Sequence, residues 1–277
     1  MPNHPFSQVN VFSTNPLGGN PLAVIHDADD LSADQMLTLA RWTNLSETTF
    51  LMRPTHPEAD YSVRIFTPGG ELPFAGHPTL GSCHAWVSAG GVPINPDRFV
   101  QQCGVGLVSI RRYEGRLEFA APPLIRSGRI DDIALAQIAS ALGLSVSDIV
   151  HHQWGDNGPG WCAVMLDSAE KVLSIKPNWV ALSPFNLGVV GPYHAGCETA
   201  VEVRAFVGSE GCEDPVTGSL NASLAQWLIA AGVLRSPYIA SQGTAMQRAG
   251  RVYMRQSAGD IWVEGDVVDV IKGEISI

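Results

Sequence analysis

The fold of this chain is decided by Val63-Arg-Ile-Phe-Thr-Pro-Gly-Gly-Glu-Leu-Pro-Phe-Ala-Gly-His-Pro78, a stretch whose design returns about 140 residues later. Val203-Arg-Ala-Phe206 repeats the pattern of Val63-Arg-Ile-Phe66, and Val216-Thr-Gly-Ser219 stands where the first copy has Ala75-Gly-His-Pro78. The chain therefore contains two copies of a unit made of a strand, a small-residue loop and the start of a helix. Such a repeat predicts two similar lobes.

Each of the two loops opens an apolar helix, and the helices end alike in Trp86-Val-Ser-Ala-Gly-Gly-Val92 and Trp227-Leu-Ile-Ala-Ala-Gly-Val233. We expect the two lobes to face one another, so that a helix N-terminus points into the cleft from each side. Unpaired N–H groups and the helix dipole make such a terminus a binding site for anions. The repeat therefore predicts a pocket for a small anionic or amino-acid-like substrate.

The length of 277 residues suits two medium-sized lobes, and Pro122-Pro123 marks the predicted crossing between them. The first lobe is then 1–121 and the second is 122–277, with the last strand free to return to the first lobe. A hydrophobic fraction of 45% and a charged fraction of 16% are typical of a packed globular protein.

Charge and composition exclude several classes of partner. The net charge of -10 comes without a run of Lys and Arg, which argues against binding to a nucleic-acid backbone. The chain has no stretch of about 18 apolar residues, so we expect no membrane span. The N-terminus lacks the features of a signal peptide. The five cysteines are odd in number and form no Cys-x-x-Cys pair, which favours reduced thiols in the cytoplasm over a zinc site.

Two helix starts carry local signals. Ser32 as the N-cap and Gln35 three residues later form a capping box. Pro78 suits the first position of a helix that runs to Ala89, because its missing N–H would have no partner there anyway. In that interpretation His77 is the N-cap residue of the first repeated helix.

Glu47, His77 and Asp214 are the candidate proton-transfer residues. Glu47 lies in the polar segment Ser46-Glu-Thr-Thr49, where a carboxylate is a general base if it borders the cleft and an ordinary loop residue if it does not. His77 lies on the first repeated loop and is either a helix cap or a site residue. Asp214 precedes Pro215, where Asp often forms a turn; the functional alternative is a second proton-handling group.

The second repeated loop offers anion-binding groups. The amides of Gly218 and Ser219, with the Ser219 hydroxyl, would hold a substrate carboxylate at the helix N-terminus. Neither Leu17-Gly-Gly-Asn20 nor Asp156-Asn-Gly-Pro-Gly160 has the glycine spacing of a phosphate-binding loop or a dinucleotide fingerprint, and no His-Glu-x-x-His metal motif occurs. We therefore expect neither a cofactor nor a metal.

Several blocks, in order along nearly the whole chain, resemble the phenazine-biosynthesis protein F (PhzF-like) family. The blocks are Gly19-Asn-Pro-Leu-Ala-Val24, Leu45-Ser-Glu-Thr-Thr-Phe50, Arg64-Ile-Phe-Thr-Pro68, Glu71-Leu-Pro-Phe-Ala-Gly-His-Pro78, Asn157-Gly-Pro159, Glu213-Asp-Pro-Val-Thr-Gly-Ser219, and Ser241-Gln-Gly243 with Gly250-Arg251. The resemblance implies a diaminopimelate-epimerase-like α+β fold. Each of two pseudo-symmetric lobes would be a curled, mostly antiparallel, barrel-like sheet around a central helix, with the active site between the lobes.

The resemblance also implies an isomerase that moves a proton on a small carboxylate-bearing substrate without a cofactor, and usually works as a homodimer. The matched positions are Glu47, His77 and Asp214 for catalysis, and Gly76, Gly218, Ser219 and Asn20 for substrate binding. The chain departs from the family pattern at Asn10, where relatives often carry Asp, and at Gly160-Trp161, where some relatives place a basic residue. These departures argue against transferring the phenazine substrate unchanged.

Two alternatives stay open. A thiol-based racemase or epimerase of the same architecture would carry cysteines near Ala75 and Pro215, whereas Cys83 lies inside the first repeated helix and Cys212 lies three residues early. A non-catalytic small-ligand-binding or interaction protein would retain the fold and would be insensitive to Glu47→Gln.

Overall fold

The two copies of the repeat occupy two units of the computed structural model, which describes residues 2–277. Unit 1 comprises Met1–Ala120 and Glu264–Ile277, and unit 2 comprises Ala121–Val263. The C-terminal strand therefore belongs to the same unit as the N-terminal strand. The chain is α+β, with a curled sheet and a central helix in each unit.

Unit 1 is built from a mostly antiparallel sheet and two α-helices within the described residues. Its elements are β1 Asn3–Val11, β2 Asn20–Ile25, α1 Ala33–Thr43, β3 Thr48–Met52, β4 Tyr61–Thr67, β5 Gly70–Leu72, α2 Gly76–Ser88, β6 Phe99–Cys103, β7 Gly106–Tyr113, β8 Arg116–Ala120 and, near the C-terminus, β18 Val267–Ser276. β1 pairs antiparallel with both β18 and β2. The parallel pairs are β2 with β3 and β4 with β6.

α2 is the centre of unit 1. It packs against β1, β2, β3, β4, β6, β8 and β18. The sheet therefore curls around the helix, as an open curl rather than a closed barrel over the described residues. A Cβ on Gly81 of α2 would lie 2.5 Å from Leu22 Cδ2, so the close approach of the helix to β2 depends on glycine.

Unit 2 repeats this arrangement around α6. Its elements are β9 Arg126–Gly128, α3 Asp132–Leu142, β10 His151–Asp156, β11 Trp161–Met165, α4 Ala169–Ser174, α5 Trp179–Leu182, β12 Asn186–Pro192, β13 Val201–Val207, β14 Cys212–Asp214, α6 Gly218–Ala230, β15 Tyr238–Gln242, β16 Gly250–Ser257 and β17 Asp260–Gly265, which ends in unit 1. α6 packs against β10, β11 and β16. In residues 2–277, no helix is long and apolar enough to cross a bilayer.

The order and direction of strand pairing are the same in both units. In unit 1, β2–β3 is parallel, β3–β4 and β4–β5 are antiparallel, β4–β6 is parallel and β6–β7 is antiparallel. In unit 2, the pairs β11–β12, β12–β13, β13–β14, β13–β15 and β15–β16 follow the same series. α2 and α6 each have 13 residues and follow the equivalent short strands β5 and β14. The predicted pseudo-symmetric duplication is confirmed.

An equivalent ion pair marks the repeat in each unit. Arg64 Nε and Nη2 donate to the two carboxylate oxygens of Glu71 at 2.7 and 2.6 Å. Arg204 makes the same two bonds to Glu213 at 2.9 and 2.7 Å. The first pair is 30% and 43% exposed, whereas the second is 7% and 9% exposed. The same contact is thus at the surface in one unit and buried in the other.

The first repeated helix begins earlier than its sequence indicates. The Ala75 carbonyl accepts hydrogen bonds from the Thr79 N–H and hydroxyl at 3.2 and 2.9 Å, so α2 begins at Gly76. Ala75 is the N-cap residue, and the prediction that His77 fills this position is wrong. Pro78 is the third helical residue, where an N–H would still have no intrahelical partner, so proline does not define the start.

Glu202 on β13 is a fully buried carboxyl group in unit 2. Its Oε2 atom accepts hydrogen bonds from the Tyr193 hydroxyl at 2.8 Å and the Thr244 hydroxyl at 3.1 Å. Burial raises the pKa of Glu202, against the opposing effects of hydrogen bonds from Ser241, Tyr193 and Thr244 and of the Arg251 charge. The protonated form is therefore favoured in the folded state relative to the unfolded state.

Glu202→Gln should gain stability relative to the wild type as the pH rises. Folding raises the pKa of Glu202. Its contribution to the free energy of unfolding is therefore fully present below the unfolded-state pKa of about 4.3, and it is lost as the pH rises through the folded-state pKa. Gln carries no such dependence. Urea unfolding over a series of pH values should therefore show the difference in unfolding free energy moving in favour of the variant.

Glu71→Gln is the matched control for this titration. The hydrogen bond from Arg64 lowers the pKa of Glu71. The contribution of Glu71 to the free energy of unfolding is therefore present above the unfolded-state pKa and is lost as the pH falls through the folded-state pKa. The control should therefore lose stability relative to the wild type as the pH rises. A difference for Glu202→Gln that is independent of pH, or that moves like the control, contradicts the assignment.

Candidate active site

Glu47 and His77 meet where β3 and α2 begin in unit 1. His77 Nδ1 lies 3.1 Å from Glu47 Oε2. The imidazole is 4% exposed and the carboxylate is 15% exposed, so the carboxylate is the more accessible member of the pair. Folding thus brings together two candidates that lie in separate blocks of the sequence.

Hydroxyl groups fix the elements that carry this pair. The hydroxyls of Thr43, at the end of α1, and Thr48, at the start of β3, lie 2.8 Å apart and close the loop that carries the carboxylate. Ser82 of α2 donates to the Thr49 hydroxyl of β3 at 3.0 Å in the buried interior. The loop with the carboxylate and the helix with the imidazole are therefore anchored to each other.

Asn10 holds the loop that leads into β2. Its Oδ1 accepts from the Gly19 N–H at 2.9 Å, and its Nδ2 donates to the Asn15 carbonyl at 2.9 Å. An aspartate has no N–H group and could not make the second bond. A Cβ on Gly19 would collide with the Val11 carbonyl oxygen. Asn20 follows as the fully buried first residue of β2, and its role in substrate binding stays a prediction.

In unit 2, Asp214 is tied to the start of α6. The Thr217 hydroxyl donates to Asp214 Oδ2 in a short hydrogen bond of 2.5 Å. Gln242 Nε2 donates to the Thr217 hydroxyl at 2.9 Å and to the Asp214 carbonyl at 3.1 Å. Gln242 Oε1 accepts from the Thr217 N–H at 3.0 Å and from Asn221 Nδ2 at 2.8 Å. Sequence reasoning missed this role of the buried Gln242, whose only signal was its place in Ser241-Gln-Gly243.

The start of α6 has features of an anion-binding site. Thr217 is the N-cap residue, yet its hydroxyl is turned to Asp214 and makes no capping bond. Gly218 and Ser219 are the first two helical residues. The Thr217 side chain therefore does not cap the N–H groups of the first turn. Together with the positive end of the helix dipole, these N–H groups are suited to binding a carboxylate. The Ser219 hydroxyl accepts a hydrogen bond from Trp161 Nε1 at 3.0 Å.

The two repeats carry different chemistry at equivalent positions. Strand register and helix starts give the equivalent pairs Gly76 and Gly218, His77 and Ser219, Leu72 and Asp214, and Glu47 and Asn186. The sequence pairing of Ala75 with Val216 is therefore out by one residue. Pseudo-symmetry holds for the backbone, whereas the carboxylate–imidazole pair is confined to unit 1. The expected cleft that would join the two sets of groups stays a prediction.

The cysteines do not provide a thiol base at the predicted positions. Burial raises the pKa of Cys83 to about 12. Desolvation, together with the charges of Glu210 and Asp214, raises the pKa of Cys212 to about 11. A thiol acts as a base or nucleophile in its thiolate form, which these environments disfavour near neutral pH. The structure therefore favours the carboxylate over the thiol alternative.

Comparison with known proteins decides the family. The model of the phenazine biosynthesis-like protein family (PhzC-PhzF) matches residues 9–273. The chain belongs to this family. Trans-2,3-dihydro-3-hydroxyanthranilate isomerase of Pseudomonas aeruginosa is 34% identical over 270 residues, which cover 93% of this chain and 92% of that protein.

Two further comparisons extend the family in sequence and in structure. Antisense-enhancing sequence 1 of Schizosaccharomyces pombe is 40% identical over 190 residues, which cover 66% of this chain and 64% of that protein. The crystal structure of a PhzF-family phenazine biosynthesis protein from Bacillus anthracis has a TM-score of 0.83 at 22% identity, with full coverage of both chains, which establishes the shared fold. This chain is an enzyme of the isomerase class, like the family members whose names state that activity.

Proposed function

We propose that this phenazine biosynthesis-like protein isomerises small carboxylate-bearing substrates by proton transfer without a cofactor, with Glu47 as the base. The observation that carries the proposal is the contact of Glu47 with His77, a partly exposed carboxylate beside a buried imidazole at 3.1 Å. A general base must be held in place and must reach the proton that it removes. The anchored β3 and α2 supply the first condition, and the exposed share of the carboxylate supports the second.

The other candidate residues have proposed roles that follow from their contacts. His77 orients the Glu47 carboxylate. Asp214, held by Thr217, assists as an acid or polarises a substrate amine. The amides of Gly218 and Ser219, with the Ser219 hydroxyl, bind the substrate carboxylate, and Gly76 and Asn20 are further substrate-binding residues.

The proposed reaction is an allylic shift of one proton. Glu47 takes a proton from a carbon, and the electron pair of the broken C–H bond forms a new double bond to the neighbouring carbon. The electron pair of the existing double bond moves to the carbon beyond it. The protonated Glu47 then returns the proton to a second carbon, so that the substrate gains and loses nothing overall. Exclusion of water during this step preserves the proton on the base.

The substrate class comes from the relatives. Trans-2,3-dihydro-3-hydroxyanthranilate, which names the Pseudomonas aeruginosa relative, is a cyclic amino carboxylate. We propose a substrate of this class for the present chain, bound through its carboxylate. We also propose a cytoplasmic location, supported by the five free cysteines of the described chain. The family resemblance supports the further proposal of a homodimer. Sedimentation analysis of the purified protein tests the dimer.

The test is turnover of trans-2,3-dihydro-3-hydroxyanthranilate by the purified protein in deuterated water. Proton NMR follows the shift of the double bond and any deuterium at the receiving carbon. We expect isomerisation that survives dialysis against a chelator, because the proposed chemistry uses only side chains. The carboxamide analogue, which lacks the anion, is the control and should react poorly. Absence of turnover for this and related cyclic amino carboxylates, or loss of turnover with the chelator, contradicts the proposal.

A further inference from the structure

Trp161 and Ser219 form a hydrogen bond whose direction is chemically fixed. Trp161 Nε1 lies 3.0 Å from Ser219 Oγ, and Trp161 is only 3% exposed. An indole N–H is a donor and has no acceptor capacity, so the serine oxygen must accept in this bond. The hydroxyl hydrogen of Ser219 is therefore directed away from the indole.

The Ser219 hydroxyl hydrogen has no acceptor within residues 2–277. Ser219 is partly exposed, and its only side-chain hydrogen bond in this part of the chain is the one that it accepts from Trp161. Its main-chain carbonyl is separately held by Asn157 Nδ2 at 2.9 Å and by the Ser223 hydroxyl at 3.1 Å. The side chain thus presents a donor at the first turn of α6 while the backbone is fixed.

The segment that carries Trp161 is rigidly built. Asp156 Oδ1 accepts from the N–H groups of Gly158 and Gly160, both at 2.7 Å. Both glycines have positive φ angles, of 137° and 82°, which other residues rarely adopt. Asn186 Nδ2 also donates to the carbonyl of the intervening Pro159 at 2.7 Å. The indole is therefore placed by its loop rather than by the serine.

We propose that Trp161 is a positioning residue that makes the Ser219 hydroxyl a dedicated hydrogen-bond donor and thereby selects a carboxylate over a carboxamide at the start of α6. This inference rests on the proposed function. The hydroxyl and the first-turn N–H groups are all donors at the positive end of a helix dipole, which suits a group that only accepts. A carboxamide has N–H donors of its own, which would face the Ser219 hydroxyl and the first-turn N–H groups, and two donors cannot form a hydrogen bond with each other.

The device is specific to unit 2. The strand registers make Leu22 the equivalent of Trp161, and His77 is the equivalent of Ser219. Unit 1 therefore has no indole donor at this place. The equivalent position carries an imidazole that contacts Glu47 instead.

Binding of anthranilate and 2-aminobenzamide to the full-length protein, measured by calorimetry, tests the proposal. Trp161→Phe keeps a buried ring and removes the donor, and should weaken anthranilate binding by about five- to tenfold, as expected for one neutral hydrogen bond. The affinity for 2-aminobenzamide should stay the same or improve. Trp179→Phe, which alters an indole packed 5.7 Å from the Phe206 ring, is the matched control and should bind both probes like the wild type.

A double-mutant cycle separates positioning from a general structural effect. Ser219→Ala should weaken anthranilate binding by about ten- to a hundredfold, as expected for a hydrogen bond to a charged group. Adding Trp161→Phe to Ser219→Ala should cause no further loss, because the indole acts through the missing hydroxyl. Additive losses, or equal losses for both probes, overturn the proposal. If Trp161→Phe does not fold, Ser219→Ala alone decides, since unchanged selectivity between the two probes overturns it as well.

The outcomes also distinguish this inference from the proposed function. Wild-type protein that turns over the carboxylate substrate while Trp161→Phe binds anthranilate normally overturns the inference alone. Wild-type protein that neither binds anthranilate nor isomerises a cyclic amino carboxylate overturns both.

Discussion

Glu47→Gln should lower kcat by about 10²–10⁴-fold while leaving anthranilate binding within a few fold of the wild type, since this is the usual contribution of a positioned acid–base group. Gln has nearly the same shape and can keep the contact with His77, but it cannot take up a proton. The loss should therefore fall on the chemical step and not on the affinity for the substrate.

The measurement is the initial rate of isomerisation at saturating substrate, together with calorimetric binding of anthranilate. Glu58→Gln, which changes an exposed glutamate of the same unit, is the control and should retain full turnover. The turnover of Glu47→Asp should lie between that of Glu47→Gln and that of Glu58→Gln, because aspartate keeps the carboxylate base but has a side chain that is shorter by one methylene. Retention of more than about a tenth of wild-type turnover by Glu47→Gln contradicts the assignment of the base.

Glu213→Gln should reduce the free energy of unfolding by about 3–5 kcal/mol, whereas Glu71→Gln should cost less than about 1 kcal/mol. The two substitutions remove the same carboxylate from equivalent bidentate pairs. Arg204 is 7% exposed, so the loss of Glu213 leaves a buried guanidinium charge without its counter-ion. Arg64 is 30% exposed and can be solvated when Glu71 is neutralised.

Arg204 also holds the end of α4. Its Nη1 atom donates to the carbonyls of Val172 and Ile175 at 3.3 and 2.7 Å, so its displacement would release these contacts as well. Urea unfolding of the wild type and both variants at pH 7 measures the two losses. Similar losses for the two variants would show that burial does not govern the strength of this pair.

Local and repeated features were predictable from the sequence. The capping box of Ser32 and Gln35 is present, because both residues lie within one helical turn and need no distant partner. The duplicated Arg-x-Phe strands and small-residue loops predicted the repeated topology, because the alternation of side chains and the loop residues are encoded along the chain. The ordered motifs predicted the family, and the family model confirms it.

The start of α2 was decided by a hydrogen bond that its proline obscured. Pro78 favoured a start at that residue, yet the Ala75 carbonyl accepts from the Thr79 N–H and begins the helix at Gly76. Proline is tolerated anywhere in the first turn, since those N–H groups have no intrahelical partners. Its position therefore limits the start of a helix without fixing it.

The sequence by itself determined the duplicated α+β architecture, the family and the identity of Glu47 and His77 as candidates. Only the tertiary structure decided that these two residues are in contact and that Trp161 donates to Ser219, 58 positions away. The physical reason is range. Propensity, capping and side-chain alternation act within a few residues, whereas contacts between separate elements depend on strand register and helix packing, which the whole folded unit sets.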